Sequence, residues 1–596
     1  MSSVPERSER DEEYKWDLES IYATDEDWEE AYEDVESRLG DLQSYEGQLT
    51  EDGDTLLEAL ELRNEVYRDA HMVASYARMR SDEDTRDQEY QALSARGASL
   101  MSDVGSATSF FDPEIQDCTR EELQSMVEET PGLEEYEHYF DDVLRMKPHT
   151  RSAEVEELLS DLGEVFGAPS DAYNMLTDAD LEFPTVEDPD GEPVEISQAN
   201  LTTLLKSQDR EFRQTVHEEF FETIEDVRNT IGSTMKNQMK RDVKLAEARN
   251  YDTAREAALD NSNIPTEVYD NLVDTVDDNL DKLHRHADLK REALGVDELE
   301  MWDLYMPIVE SESPEVPYEE AKEHVIEAVA PLGEEYQQRV EEGLENRWVD
   351  VYENRGKRSG AYSGGTYDTQ PFILMNYQDD ISSMFTLAHE LGHSLHSEFT
   401  SEEQPYVYSQ YEIFVAEVAS TVNEALLTNH LLDTVEDDEF RRHILNEYLE
   451  RFRSTLYRQT MFADVEQRLH ELTEEGEALT PDRIDEVYGE RKEAYYENAN
   501  VDEHIRGEWM RIPHFYYNFY VFQYSTGISA AVALVQGILE EGQPAADQYL
   551  EFLERGSSEY PLELLRDAGV DMSTSEPIER ALSVYDEYLE EAEKLV

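Results

Sequence analysis

Ile381-Ser-Ser-Met-Phe-Thr-Leu-Ala-His-Glu-Leu-Gly-His-Ser-Leu-His-Ser-Glu-Phe399 is the stretch from which the rest of the chain can be read. Met384, Leu387, Leu391 and Leu395 recur at steps of three and four, the period of a helix with one apolar face. His389 and His393, four apart and nearly opposite that stripe, project from one side with Glu390 next to them. Two imidazoles with a carboxylate at this spacing can assemble a catalytic zinc site, the arrangement of a metallopeptidase. Gly392 costs about 1 kcal/mol relative to Ala inside a helix, so it marks close approach on its side, by a neighbouring helix or something else.

A catalytic zinc needs a third protein ligand. His396 shares the ligand face but lies about 10 Å along the axis from His389, too far to bind the same ion, and reads as a buried supporting histidine. Pro405 ends the first helix, and Tyr411 to Leu432 carries a second helical pattern that a hairpin would return alongside it. Within it Glu417 sits among Phe414, Val415, Ala416, Val418 and Ala419, where an unpaired carboxylate is expensive and a metal accounts for its charge. Glu417 is therefore the candidate third ligand, and Glu424, two turns on, is a candidate hydrogen-bond partner for a ligand histidine.

At these residues the chain resembles the M3 oligopeptidases related to thimet oligopeptidase, and most closely the bacterial and archaeal oligoendopeptidase F branch. Phe385 to His396 and Glu417-Val-Ala-Ser-Thr carry the resemblance, and two more blocks match in order. Gly356 to Ser363 with Tyr367 to Tyr377 resembles the segment before the zinc helix, and Ile512 to Gly527 resembles the His/Tyr substrate-binding block. The likeness runs from about residue 200 to 585, and more loosely into the N-terminal region. It implies a mainly α fold, two helical lobes flanking a deep substrate channel, with a small β element near the zinc helix. It also implies one Zn2+ per chain held by His389, His393 and Glu417, and short unfolded peptides as substrates.

Composition bounds the setting. Asp plus Glu number 142 against 49 Lys plus Arg, a net charge of -93. Such charge opposes compaction in dilute buffer and is screened within a few ångströms at molar salt, pointing to a salt-adapted cytoplasm such as that of halophilic archaea. A hydrophobic content of 39% leaves material for a large core, so the acidity belongs to the surface. The same surface repels phosphate backbones and excludes nucleic acid as a partner. Cys118 is the only cysteine, so there is no internal disulfide, and it reads as a small buried hydrophobe. Met1 to Glu13 is polar and no secretory signal, and the apolar run Ile528 to Leu539 is too short to span a bilayer.

Three segments are expected: a disordered acidic tail over 1–13, a helical lobe over 14–198 ending in a small hairpin, and a catalytic lobe over 199–596. Asp54 to Ser81 and Asp84 to Thr108 read as long helices of the first lobe. Leu181 to Ile196, with the turn Asp188-Pro-Asp-Gly, reads as the hairpin that divides the two. Ser359 to Tyr377 reads from its pattern equally as a plain structural hairpin or as an edge strand beside the zinc helix, and the family resemblance implies the edge strand, placed to pair with an extended peptide.

Zinc at this site would acidify water and polarise the scissile carbonyl, Glu390 serving as the proton carrier. An oxyanion would need a further donor, and the block from His514 to Tyr524 can supply one. His514, Tyr517, Tyr520 and Tyr524, at steps of three, three and four, are expected along one side of a helix beginning after Pro513. Tyr520 or Tyr524 would then donate to the oxyanion, with His514 binding the substrate or the same oxygen. Two other readings stay open: a metallocarboxypeptidase with the same motif, and a helical binding protein with a relict zinc site, against which intact Glu390 argues.

Overall fold

The computed structural model describes residues 4–309 and 313–595. The chain is mainly α-helical, with three small sheets among the described residues. The helices begin where side chains cap them. Thr24 and Asp27 form a reciprocal capping box before Asp25–Gln43, and Asp52 accepts from the Thr55 N–H at 2.9 Å at the head of Gly53–Glu83. The expected long helices are present as Gly53–Glu83 and Gln88–Thr108.

Two compact units are built from interleaved segments. The first comprises Met1–Pro148, Pro314–Asp433 and Leu534–Gly569, and the second comprises His149–Ser313, Thr434–Ala533 and Val570–Val596. The chain therefore does not divide at residue 198 as expected. Phe372 and Leu374 enter the same core as Trp16, Trp28, Leu60 and Tyr76, which places the segment leading to the motif helix in the unit of the N-terminal helices. Apolar side chains distant in sequence share one dry interior, and that outweighs chain order.

In the first unit, Val349–Asp350 pairs in parallel with Phe372–Leu374, which pairs antiparallel with Tyr362–Gly364 as the outer strand. The N-terminal segment is tied down here, contrary to the expected disorder over 1–13; residues 1–3 lie outside the described residues. Arg7 reaches Glu83 at 2.7 Å and Asp350 at 2.6 Å, and the Arg355 N–H donates to the Pro5 carbonyl at 2.8 Å. Asp350 is buried between Arg7 and Lys357, so a tail that left would strand a buried carboxylate with half its counter-charge. Cys118 is buried, as its reading as a small hydrophobe requires.

In the second unit the expected hairpin forms, Thr185–Glu187 pairing with Pro193–Glu195. Asp188 accepts from the Asp190 and Glu192 N–H groups at 3.0 and 2.9 Å, and Gly191 takes φ 83°. The hairpin lies inside this unit and does not divide the two. The helix Phe522–Glu541 is long and apolar enough to cross a membrane by composition, but 72% of its apolar window is buried in the protein, as in a core helix.

Candidate active site

The motif helix runs Ile381–Glu403 and its partner Ile413–Thr434, joined through Pro405 as the hairpin reading requires. Met384, Leu387, Leu391 and Leu395 are fully buried, so the apolar stripe fixes which side His389 and His393 present. Gly392 meets the partner helix. A Cβ there would stand 2.5 Å from Ser420 Cα and 2.6 Å from the Ala419 oxygen, so only glycine lets the two backbones cross this closely. Asn423 Nδ2 donates to the Ala388 carbonyl at 3.1 Å, and Tyr336 Oη donates to Asn423 Oδ1 at 3.0 Å, locking the crossing.

This crossing brings three sequence-predicted residues together. Glu417 Oε2 lies 3.4 Å from His389 Nε2 and 3.6 Å from His393 Nε2, and donor atoms of all three residues lie within 4.8 Å of one another. Bonds of about 2.0–2.1 Å to a tetrahedral ion put neighbouring ligands about 3.3 Å apart, so the residues fit a zinc ion with little adjustment. The other nitrogen of His389, Nδ1–H, donates to Glu424 Oε1 at 2.7 Å, which leaves Nε2 with its lone pair toward the site. Burial opposes the charge of Glu417, yet His393, His389 and Ser420 together hold its pKa down to about 2.

Glu390 is buried beside these donors. Its pKa is raised by that burial, against the pull of the two histidines and a hydrogen bond from the Ser363 backbone. Ser363 belongs to the outer strand, and its Oγ lies 2.9 Å from Ser394 Oγ on the motif helix, so this strand sits beside the candidate site, while the rest of the segment read as an edge strand turns back as the central strand Phe372–Leu374. His396 is buried and stacks on Tyr411 with centroids 3.7 Å apart, in the supporting place expected of it.

His514, Tyr517, Tyr520 and Tyr524 belong to the second unit, and they do not line one helix. Pro513–Tyr516 is a single 3-10 turn, Asn518 and Phe519 take φ 50° and 57°, and the next helix starts at Phe522. Left-handed backbone at two successive non-glycine residues ends any helical register. The rings still gather: His514 and Tyr524 are 6.4 Å apart, Tyr520 and Tyr524 are 5.3 Å apart, and Tyr524 Oη donates to Tyr520 Oη at 3.3 Å. The corner is held from below, where Glu466 Oε1 accepts from the Phe519 N–H at 2.7 Å and Gln238 Nε2 donates to the Tyr516 carbonyl at 3.1 Å. The sequence reading missed Glu466, Gln238, Asn423 and Tyr336; buried polar residues on helices of ordinary pattern carry no local signal.

With this geometry in place, residues 203–584 match peptidase family M3, and residues 114–183 match the Oligopeptidase F N-terminal family. The chain belongs to peptidase family M3. Oligopeptidase PepF of Bacillus subtilis is 45% identical over 596 residues, covering 100% of this chain and 89% of that one. Group B oligopeptidase PepB of Streptococcus agalactiae is 41% identical, covering 99% and 98%. The crystal structure of oligoendopeptidase-F from Enterococcus faecium superposes with a TM-score of 0.75 at 39% identity, covering 96% and 99%. This M3 peptidase is a metalloendopeptidase, an enzyme that cuts peptides at internal bonds.

Proposed function

We propose that the enzyme uses one zinc ion, held by His389, His393 and Glu417, to hydrolyse short unfolded oligopeptides, with Glu390 as general base. The observation that carries this is the pair of distances from Glu417 Oε2 to the two Nε2 atoms, 3.4 and 3.6 Å, with Glu424 fixing the His389 ring. When bound, zinc supplies Lewis acidity to the scissile carbonyl and acidifies water at the site. Glu390 takes a proton from the attacking water and delivers it to the departing amine. Its burial favours this role, because a carboxylate with a raised pKa is the stronger base. The outer strand Tyr362–Gly364 pairs with the extended substrate backbone. A phenol of Tyr520 or Tyr524 donates to the oxyanion, and His514 binds the substrate or the same oxygen.

The net charge of -93 supports a soluble enzyme of a salt-rich cytoplasm, as in a halophilic archaeon, with no nucleic-acid or membrane partner. A mixed peptide library incubated in high salt, with and without chelator and read by mass spectrometry, tests the reaction. Internal cleavage lost on chelation and restored by zinc is expected. Glu390→Gln should retain metal and lose turnover, whereas Glu417→Ala should lose stoichiometric zinc on dialysis. Failure to cut a C-terminally amidated peptide at any concentration would instead indicate a carboxypeptidase.

A further inference from the structure

In a chain with 93 excess negative charges, one buried place in the second unit is locally positive. Glu508 is buried and faces three cations: Lys492 at 2.7 Å, Arg458 at 3.1 Å and Arg511 at 3.6 Å. Tyr488 Oη also donates to Glu508, at 2.7 Å. One carboxylate cannot balance three cations, and surplus charge in a poorly solvated place is costly unless an anion completes it.

The backbone adds to the surplus. Phe452–Tyr457 is a turn of π-helix, Arg453 lies within it, and Arg458 follows directly. Residues five apart stand about 140° apart around an α-helix, whereas the i to i+5 bonding of a π-turn brings them toward one side. Burial and the neighbouring Arg453 oppose the charge of Arg458, and Glu508, with Tyr305 and Tyr488, outweighs them and holds its pKa up. Arg453 is itself bound to Glu450, at 2.8 Å, and that carboxylate also serves Lys290 at 2.7 Å. Here too the cations exceed the carboxylates they bond.

Arg458 has donors to spare. Its Nε and that of Arg511 are buried without a hydrogen-bond partner among the described residues. The side chains are 22% and 13% exposed beyond those buried Nε atoms, and that remaining surface is what an incoming group can reach. Burial, and then the charge of Arg458, disfavours protonation of His514. A planar guanidinium with free donors is suited to a carboxylate.

We propose that Arg458, supported by Arg511, binds a carboxylate of the peptide substrate, either its C-terminus or an acidic side chain. The proposal rests on the peptidase reading and names the chemistry by which that enzyme anchors its substrate. The site selects among peptides without taking part in bond cleavage, so it acts on KM.

The test compares one peptide as free acid and as C-terminal amide, and a second pair with Glu or Gln at an internal position, at one fixed salt concentration. If the C-terminus is the ligand, amidation should raise KM about 10- to 100-fold with kcat little changed; if a side chain is the ligand, the Glu/Gln pair shows that difference. Arg458→Gln should raise KM for the preferred member to the level of the neutral one, so that the two become equal. Arg458→Lys should recover part of the preference. Arg511→Gln gives the same readout with less demand on folding, and reduces the preference to a smaller extent. Equal KM values for both members of both pairs in the wild type, or a preference unchanged in folded Arg458→Gln and Arg511→Gln, would overturn the proposal. Absence of cleavage of every peptide, with zinc bound, would instead overturn the peptidase reading.

Discussion

Glu424 Oε1 accepts the Nδ1 proton of His389 at 2.7 Å, from a position where Glu424 is wholly buried one helix away. The bond fixes both the tautomer and the rotation of a ring whose other nitrogen faces Glu417 and His393. Without it, His389 must find that orientation unaided each time metal binds. Glu424→Gln is therefore expected to weaken zinc affinity about 10- to 100-fold, measured by competition with a chromogenic chelator. An unchanged affinity would mean that helix packing alone orients the ring.

Gly392→Ala tests the crossing itself. The added methyl would lie 2.5 Å from Ser420 Cα, and neither backbone can yield without moving Glu417, three residues from Ser420. A loss of about 3 kcal/mol in stability is expected, together with weaker zinc binding. Calorimetry with and without zinc checks both, and a variant as stable as the wild type would show that the helices can separate freely.

Tyr520→Phe and Tyr524→Phe distinguish the phenols, which are 3.3 Å apart at their oxygens. The true oxyanion donor should lose turnover about 100-fold with little change in substrate affinity. Should both variants keep full turnover, the rings serve packing and the charge is met elsewhere.

Glu466 makes stability depend on pH. Burial pushes its pKa up to about 7, partly offset by His470 and the Phe519 N–H. A folded-state pKa above the ordinary value of 4.5 means that the folded chain binds the proton more tightly, so this contribution is full below pH 4.5 and is lost as pH rises toward 7. The loss amounts to about 3 kcal/mol. Glu466→Gln keeps an oxygen for the Phe519 N–H but carries no charge, so it should match the wild type near pH 4.5 and melt higher at pH 8. The same difference in melting temperature at both pH values would contradict the buried-acid account.

Salt should stabilise the whole chain, because a net charge of -93 is unscreened in dilute buffer. Melting temperature is expected to rise steeply between about 0.1 and 3 M potassium chloride. A flat profile would remove the salt-adaptation reading while leaving the peptidase chemistry untouched.

By itself the sequence determined the features that repeat over one or two helical turns. The stripe Met384, Leu387, Leu391 and Leu395 specifies a helix and its buried side, and the same period puts His389 and His393 on the other side. Glu417 was legible too, because a carboxylate flanked by Val415, Ala416, Val418 and Ala419 needs a reason to be there. Gly392 announced a close approach, though not what approached.

Tertiary structure alone decided the rest. That Gly392 meets Ser420, that Glu424 reaches His389, and that Phe372 shares a core with Trp16 all depend on contacts between residues far apart in the chain, where no local period relates them. The interleaving of the two units has the same cause: burial rewards shared dry surface regardless of chain order. His514 to Tyr524 shows the limit most directly. Their spacing is helical, yet Glu466 and Gln238 bond the backbone at Phe519 and Tyr516 and hold a left-handed corner at Asn518 and Phe519. The π-turn Phe452–Tyr457, which carries Arg453 and precedes Arg458, is likewise a change in hydrogen bonding that amino-acid pattern does not encode.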